Sequence, residues 1–278
     1  NITGLAIGMT CCILILLYVQ DELNYDRHNT LADRIHRVVD GNNVKIPPNI
    51  APLLQEDYPE VIDYVRMRSS QGSWMMTYRD KGFYESLVFW ADGSLFDVFT
   101  IPLLQGSPET ALMAPFSVVI SESIPKKYFG DEDPIGKVIQ ADQDYAALTV
   151  TGVMRDTPPG AHYQADFYVS LSTLPVKSFA ERLSAWGDRS YYTYILLDNE
   201  ASSEPLTAKL PEFINRHIDN PVARDGFQLA LQPLTGIHLQ SHLENELDVN
   251  GHVIYVYILG AIAVVILLIA CINFMNLS

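Results

Sequence analysis

Charge is confined to the middle of this chain, and that distribution constrains the fold more than any other feature of the sequence. Residues 1–20 and 253–278 carry no charged side chain, so all 33 acidic and 18 basic residues lie between Asp21 and His252. An apolar run of 18 residues, Ile2–Val19, stands near one end, and a run of 20, Val253–Ile272, near the other. Because roughly 20 helical residues match a hydrocarbon core of about 30 Å, we predict a transmembrane helix within residues 1–20 and another within residues 253–278.

Each apolar run has an alternative interpretation. The first lacks the basic start and the A-x-A-like cleavage site of a signal peptide. The second is long for the buried core helix of a soluble protein. Tyr18, Tyr255 and Tyr257 stand at the ends that face the charged middle, where an interfacial aromatic belt is expected. The chain begins without Met, and we expect it to be a piece of a longer protein.

The middle of the chain, residues 21–252, is acidic and free of cysteine. It carries the whole formal net charge of −15, which repels phosphate backbones and argues against nucleic-acid binding. Cys11, Cys12 and Cys271 all lie in the uncharged ends, so a disulfide-stapled scaffold and a thiolate metal site are excluded from the middle. Two spans would place residues 21–252 on one side of the membrane, and their composition favours the outside.

Local patterns in the middle predict an α+β domain. A helix start is predicted at Thr30, with Asp33 in its first turn. Further helices are predicted over 51–58, 121–129 (with Gly130 as its C-cap) and 206–217, and strands over 35–39, 61–68, 83–89, 117–120, 148–155, 165–171, 191–197 and 227–231. Strands dominate from Gly136 to about Ser190, so we predict an α/β subdomain with a β-rich insert over roughly 136–190.

The segment Gly130–Lys137 resembles a phosphate-binding P-loop but departs from it in three respects. Five residues separate its two glycines instead of four, and Val138 stands where Ser or Thr would hold magnesium. Three acidic side chains in the loop, Asp131, Glu132 and Asp133, would repel phosphate. We therefore interpret it as a helix C-cap followed by a turn.

Two other patterns bear on metal binding. The acidic residues near this loop lack the spacing and closing Glu of an EF-hand, so solvated loop charge is the favoured interpretation; they are Asp131, Glu132, Asp133, Asp142 and Asp144. His238 and His242 are four residues apart, but the Glu of a zinc protease motif is missing and the preceding strand argues against a helix there. The G-x-S-x-G pattern of hydrolases is absent. We assign no catalytic, cofactor-binding or metal residue and expect no enzyme activity.

Several strings resemble MacB/FtsX-type ABC transporter permeases in their order and spacing. They include GLAIG and LLYVQDELNYDR at the start, SVVISESIPKKYFGDEDPIGK in the middle, and LQPLTGIHLQS and ILLIACINFMNLS towards the end. The resemblance extends from Gly4 to Ser278 and is greatest to the long two-module permeases of Bacteroidota. It implies a first transmembrane helix, a MacB-like periplasmic core domain with a porter-like α/β subdomain and an inserted β-rich subdomain, and a second helix that starts the FtsX-like region.

The resemblance also implies a function and a set of partners. The permease would relay ATP-driven motion of a cytoplasmic ABC ATPase to the periplasmic domain, for efflux or extrusion of a substrate. ATP would be bound by that ATPase, separate or fused, and no cofactor by this chain. The implied partners are a second permease module or protomer, a periplasmic adaptor protein and the lipid bilayer of the bacterial inner membrane. The alternative is the extracytoplasmic sensor domain of a two-span receptor, which has the same span–domain–span order.

Overall fold

The computed structural model describes residues 2–70, 72–141, 147–174, 183–198 and 202–275. Asp142 and Asp144 lie outside these ranges. The described helices are α1 (Ile2–Leu23), α2 (Ile50–Asp57), α3 (Leu95–Val98), α4 (Ile124–Tyr128), α5 (Ser203–His217), α6 (Pro221–Arg224), α7 (Ile237–Gln240) and α8 (Val253–Met275). The described strands are β1 (Ile35–Asp40), β2 (Val61–Ser69), β3 (Trp74–Tyr78), β4 (Lys81–Glu85), β5 (Val88–Ala91), β6 (Leu103–Gln105), β7 (Ser117–Ser121), β8 (Val138–Ala141), β9 (Ala147–Met154), β10 (Phe167–Ser170), β11 (Tyr192–Leu197) and β12 (Leu229–Pro233).

A single sheet connects the described strands. Its order is β12-β1-β11-β2-β5-β10-β7-β9-β8-β3-β4, and β6 pairs with β9 beside this path. The pairs β5–β10 and β7–β9 are parallel, whereas the remaining pairs are antiparallel. At one end of the sheet, β1 lies between β11 and β12, so the first strand of the chain contacts the last two. Residues near both ends of the chain therefore meet on these three strands.

Helices α2 and α5 cover one face of this end of the sheet. The α5 side chains at helical spacing, Leu206, Leu210 and Phe213, are buried against Ile195 and Leu197 of β11. The helix begins where the Ser202 hydroxyl accepts a hydrogen bond from the Glu204 amide. Full burial of each such side chain contributes about 1.5–3 kcal/mol, which fixes α5 to the sheet.

The opposite face of the same strands receives the two segments that connect the domain to α1 and α8. Leu234 and Ile237, which precede α8, are fully buried in one cluster with Val65 and Tyr194 of the sheet. Residues 24–34, which follow α1, form consecutive turns over this face. Both chain connections thus lie on one side of the sheet, away from α2 and α5.

The far end of the sheet has its own aromatic core. Trp74 of β3 and Trp90 of β5 are in edge contact, with ring centroids 5.5 Å apart. Tyr128 of α4 packs edge-on against Phe167 of β10. Tyr128 also donates a hydrogen bond to the carboxylate of Glu85, which accepts another from Lys127, so this buried acid is paired.

Helices α1 and α8 pack side by side outside the domain. Two helical stretches, Thr3–Leu23 and Val253–Asn273, are long and apolar enough to cross a membrane. At Gly8, a Cβ atom would lie 3.2 Å from the Cβ of Ala270, which indicates close contact between the helices. Most other large side chains of both helices are exposed, as expected for surfaces that face lipid.

The predicted α+β class with two terminal helices is confirmed. The helix predicted at Thr30 is wrong, because the Thr30 amide donates to the Thr100 hydroxyl at 2.9 Å and the segment stays in turns.

The strand predicted over 83–89 is two strands, since β4 pairs with β3 whereas β5 pairs with β2 and β10. The last strand begins at Leu229, two residues later than expected. Gly130 has a φ of 67° after α4, in agreement with its predicted capping role.

The described helices and strands also bear on the expected domain bounds. Helix α1 continues beyond Gln20 through Asp21 and Glu22, so acidic side chains lie on its last turn. The region over 136–190 contributes β8, β9 and β10 to the same sheet as the rest of the domain. The limits of a separate β-rich insert stay a prediction.

Candidate functional site

The segment Gly130–Lys137 is a turn in which ion pairs hold the lysine. Lys137 Nζ lies 2.9 Å from the Glu132 carboxylate, which also accepts from the Arg79 guanidinium at 2.6 Å. Gly130 and Gly136 both have positive φ, at 67° and 76°. A lysine paired within its own loop is not directed at a phosphate. This geometry fits the turn interpretation made from the sequence.

His238 and His242 have different partners. His238 lies on the short helix α7, which the sequence argued against, and its Nε2 is 3.0 Å from the Glu22 carboxylate. His242 instead stacks on His252, with ring centroids 4.6 Å apart. Among the described residues, no group of three or more His, Cys, Asp or Glu side chains is arranged to hold a metal ion.

Buried polar side chains converge where the domain meets α1. Asp26, the third residue after that helix, is 1% exposed and has a φ of 60°. Its carboxylate accepts from His162 Nδ1 at 2.8 Å and from the His162 amide at 3.2 Å. Its own amide donates to the Gly160 carbonyl at 2.7 Å. Two atoms of Asp26 thereby make three hydrogen bonds to the loop over 160–162.

His162 extends this contact to the sheet. Its Nε2 lies 2.7 Å from the hydroxyl of Tyr194, a fully buried residue of β11. The carboxylate oxygen of Asp26 is the acceptor in its contact with Nδ1. Burial raises the pKa of Tyr194 well above its ordinary value, so its hydroxyl stays protonated, and it forms a hydrogen bond with Nε2. Asp26, His162 and Tyr194 form one chain of hydrogen bonds.

A second buried network anchors the segment that leads to α8. The side chain of Arg37 in β1 has no exposed surface, and its guanidinium donates to both carboxylate oxygens of Glu246, at 2.7 and 2.8 Å. It also donates to Gln232 of β12 and to Ser241. Such a bidentate pair fixes orientation as well as position. The loop before α8 is therefore held to two strands by one arginine.

The two networks meet in the sheet. Tyr194 and Arg37 are direct partners in the antiparallel pair of β11 and β1, so both side chains point to the same face. We call Asp26, Arg37, His162, Tyr194 and Glu246 the joint. It connects both helix-proximal segments to adjacent strands of one sheet.

The two segments also touch each other next to the membrane helices. The ring of Tyr25 stacks on His238, with centroids 3.4 Å apart, while Glu22 reaches the Nε2 of the same imidazole. Gly251 packs closely against both side chains, because a Cβ atom there would lie 2.8 Å from the Glu22 carboxylate and 2.9 Å from His238 Nε2. The end of α1 and the start of α8 thus share one packed contact.

The joint is suited to passing a change in the position of the helix-proximal segments on to the sheet. Removing one partner of a buried charge pair costs about 3–5 kcal/mol, so such contacts resist separation. The joint contains an Asp–His pair, but both side chains are 1% exposed, and Tyr194 occupies the second ring nitrogen. A substrate has no access to either nitrogen of this imidazole. The joint therefore holds segments in place.

The sequence alone pairs none of the joint residues with one another. Asp26, Arg37 and His162 are single polar residues in ordinary surroundings, and no spacing connects them. The available signal was a charged residue within a buried strand: Arg37 stands next to Val38 and Val39 in β1, whose six residues are all buried. A buried arginine requires a carboxylate, but only the fold identifies Glu246 as that partner.

Comparisons with known proteins agree with this architecture. The chain matches the family of MacB-like periplasmic core domains over residues 1–213. It is similar to a crystal structure of a domain from Porphyromonas gingivalis assigned as a permease, with 29% identity and a TM-score of 0.63, covering 73% of this chain and 91% of the other. The periplasmic region of MacB from Actinobacillus actinomycetemcomitans shares the fold at 18% identity and a TM-score of 0.55, covering 74% of this chain and 92% of that one. The comparison with curated proteins gives no match.

Proposed function

The chain belongs to the family of MacB-like periplasmic core domains, and on this premise we propose that it relays motion in an ABC transporter permease. In this proposal, α1 and α8 cross the inner membrane and residues 21–252 lie in the periplasm. A cytoplasmic ATPase moves the helices, and the domain follows to drive extrusion of a substrate. The proposed partners are that ATPase, a second permease module or protomer, and a periplasmic adaptor protein.

The joint is the observation that carries this proposal. A helix that shifts or tilts moves its attached domain only if the connection between them is stiff. Here Asp26 follows the last residue of α1 by three positions, and Glu246 precedes α8 by seven. Both carboxylates bind buried partners, and these lead to adjacent strands of the sheet. Displacement of either helix therefore pulls on the sheet.

A sensor receptor with two spans would also benefit from a stiff connection. The family match and the fold shared with MacB favour the permease instead.

The test is to insert about six Gly/Ser residues between Asn24 and Tyr25, since such linkers behave as flexible coils. The site lies after α1, which ends at Leu23, and before the joint. The full permease and its ATPase would be placed in nanodiscs. Hydrogen exchange of the domain would then be compared between the ATP-bound and nucleotide-free states. We expect the parent domain to respond to ATP and the inserted variant to lose that response.

The matched control is the same insertion between Asp80 and Lys81, in the exposed turn that joins β3 and β4. It should keep the response to ATP, because this turn lies far from both helices along the sheet. An unchanged response after insertion at Asn24 would show that the domain does not follow α1 through the joint. The proposal would then have to be abandoned.

A further inference from the structure

A small cleft lies between the segment that follows α1 and the body of the domain. Its volume is about 130 Å³. Its walls come from three parts of the chain and are formed by His28, Asn29, Thr100, Ile101, Pro102, Arg155, Asp156, Thr157, Pro158 and Tyr163. We propose that this cleft binds a small aromatic carboxylate, with the ring inside and the carboxylate on Arg155.

Asn29 and Thr100, two polar residues of the lining, already have hydrogen-bond partners. The Asn29 side-chain oxygen accepts from the Thr100 amide at 3.0 Å, and the Thr100 hydroxyl accepts from the Thr30 amide at 2.9 Å. What remains exposed to a ligand is apolar, above all Ile101, Pro102 and the ring of Tyr163. The interior is therefore suited to a group that makes no hydrogen bonds.

The volume limits the size of that group. An apolar cavity of about 150 Å³ is known to hold benzene, so about 130 Å³ fits a single six-membered ring. A planar ring also stacks well on proline and tyrosine side chains.

Arg155 supplies the charge at the mouth of the cleft. Its guanidinium forms no ion pair or side-chain hydrogen bond with any residue that the structure describes, although the chain has a net charge of −15. The neighbouring Asp156 carboxylate already accepts from the Ser123 amide at 3.2 Å. Desolvation lowers the pKa of His28, so its imidazole is neutral at neutral pH. Arg155 and Asp156 carry opposite charges at this opening, and Arg155, which has no charged partner among the described residues, is the group that complements a carboxylate.

A ligand here would touch both sides of the connection to α1. Pro158, in one wall of the cleft, precedes Gly160 by two residues, and the Gly160 carbonyl accepts a hydrogen bond from the Asp26 amide. The opposite wall, His28 and Asn29, belongs to the connection itself. Occupancy should therefore hold residues 27–30 against the domain. A regulatory consequence for transport rests on the proposed function, but the binding and the ordering do not.

The experiment is calorimetric titration of the full chain in nanodiscs with benzoate, against empty nanodiscs. Benzoate is charged at neutral pH and stays in water, and benzylamine provides a ligand of the same size with the opposite charge. We expect saturable benzoate binding with a Kd on the order of 1 mM and at least about 10-fold weaker binding of benzylamine. Hydrogen exchange of residues 27–30 should slow when benzoate is bound.

Three variants locate the site. Arg155→Gln should weaken benzoate at least about 10-fold, and Ile101→Trp should abolish binding by filling the cleft. Arg27→Gln removes an exposed arginine that does not line the cleft and should bind like the parent. Absence of saturable binding, equal affinity for benzylamine, or full affinity in Arg155→Gln would each overturn the proposal. None of these readouts uses ATP or transport, so a failed coupling test would leave this one unaffected.

Discussion

Asp26 has a backbone conformation that few residue types adopt. Its φ of 60° lies in the left-handed region, where Asp and Asn are tolerated because their short side chains bond locally. Here the carboxylate bonds to His162, while the Asn29 side chain donates to the Asp26 carbonyl at 3.0 Å. Asp26 thus changes the direction of the chain after α1, and its carboxylate is a buried hydrogen-bond acceptor.

Replacing Asp26 separates these two roles. Asp26→Ala leaves the His162 N–H groups without an acceptor. It also places alanine at a φ of 60°, a left-handed conformation that alanine adopts only at a cost in free energy. We therefore expect a loss of about 3–5 kcal/mol in the free energy of unfolding. Asp26→Asn keeps an acceptor and the tolerated conformation, so its loss should be about 1–2 kcal/mol. The measurement is urea unfolding of the chain in micelles, followed by tryptophan fluorescence. Equal losses for both variants would contradict the assigned role of the carboxylate.

Arg37 provides a second test at this scale. Arg37→Lys keeps the charge but lacks the fork that binds both Glu246 oxygens and Gln232, so we expect a loss of about 2–4 kcal/mol in the same unfolding measurement. The control is Arg79→Lys, in an exposed pair with Glu132, which should leave the unfolding midpoint unchanged. Similar effects at both arginines would mean that the buried network does not distinguish Arg37.

The elements with strong periodicity were predictable from the sequence. The α5 stripe, the two apolar runs and strands such as β2 and β11 carry signals in their own residues, and the structure has them within a few positions. The short strands β3, β6 and β8 were missed. These strands have only three to five residues each, which is too short for a clear period, and they pair with β4, β8 or β9 only after the chain has folded.

The joint was not predictable for a related reason. Its five residues come from five separate elements or loops and meet only through the order of β12, β1 and β11. Partners such as Arg37 and Glu246 are 209 positions apart. The pairing of Tyr194 with Arg37 depends on strand register, and a slip of one residue would turn the tyrosine to the other face.

The contact between the ends of α1 and α8 can be tested with one methyl group. In Gly251→Ala the new Cβ would crowd Glu22 and His238, and the imidazole has little room to move because it stacks on Tyr25. We expect this overpacking to destabilise the domain by about 1–3 kcal/mol and to weaken its response to ATP. Gly260→Ala, in the middle of α8, adds a methyl to open space and is the matched control. Equal behaviour of the two variants would rule out a tight contact at Gly251.

The molecule as a whole separates two kinds of surface. The two long helices expose apolar side chains, whereas the formal charge of −15 belongs entirely to residues 21–252, which include only the last turn of α1. Both connections enter the same face of the sheet, and the far aromatic core lies at the other end of the strand order. A membrane crossed by α1 and α8 would lie next to the joint and would therefore leave the β3–β4 turn, at the other end of the strand order, in water. This places the best site for a topology reporter at that turn.

The last prediction is that the domain lies outside the cytoplasm. Alkaline phosphatase, which needs disulfides that form in the periplasm, should be active when inserted between Asp80 and Lys81 of the full permease. This exposed turn is preferable to Gly160, whose carbonyl binds the Asp26 amide, because an insertion there would disturb the joint. A fluorescent protein that folds only in the cytoplasm provides the control at the same position and should stay dark. Inactive phosphatase together with a fluorescent control would place the domain inside the cell, and the transport model would fail with it.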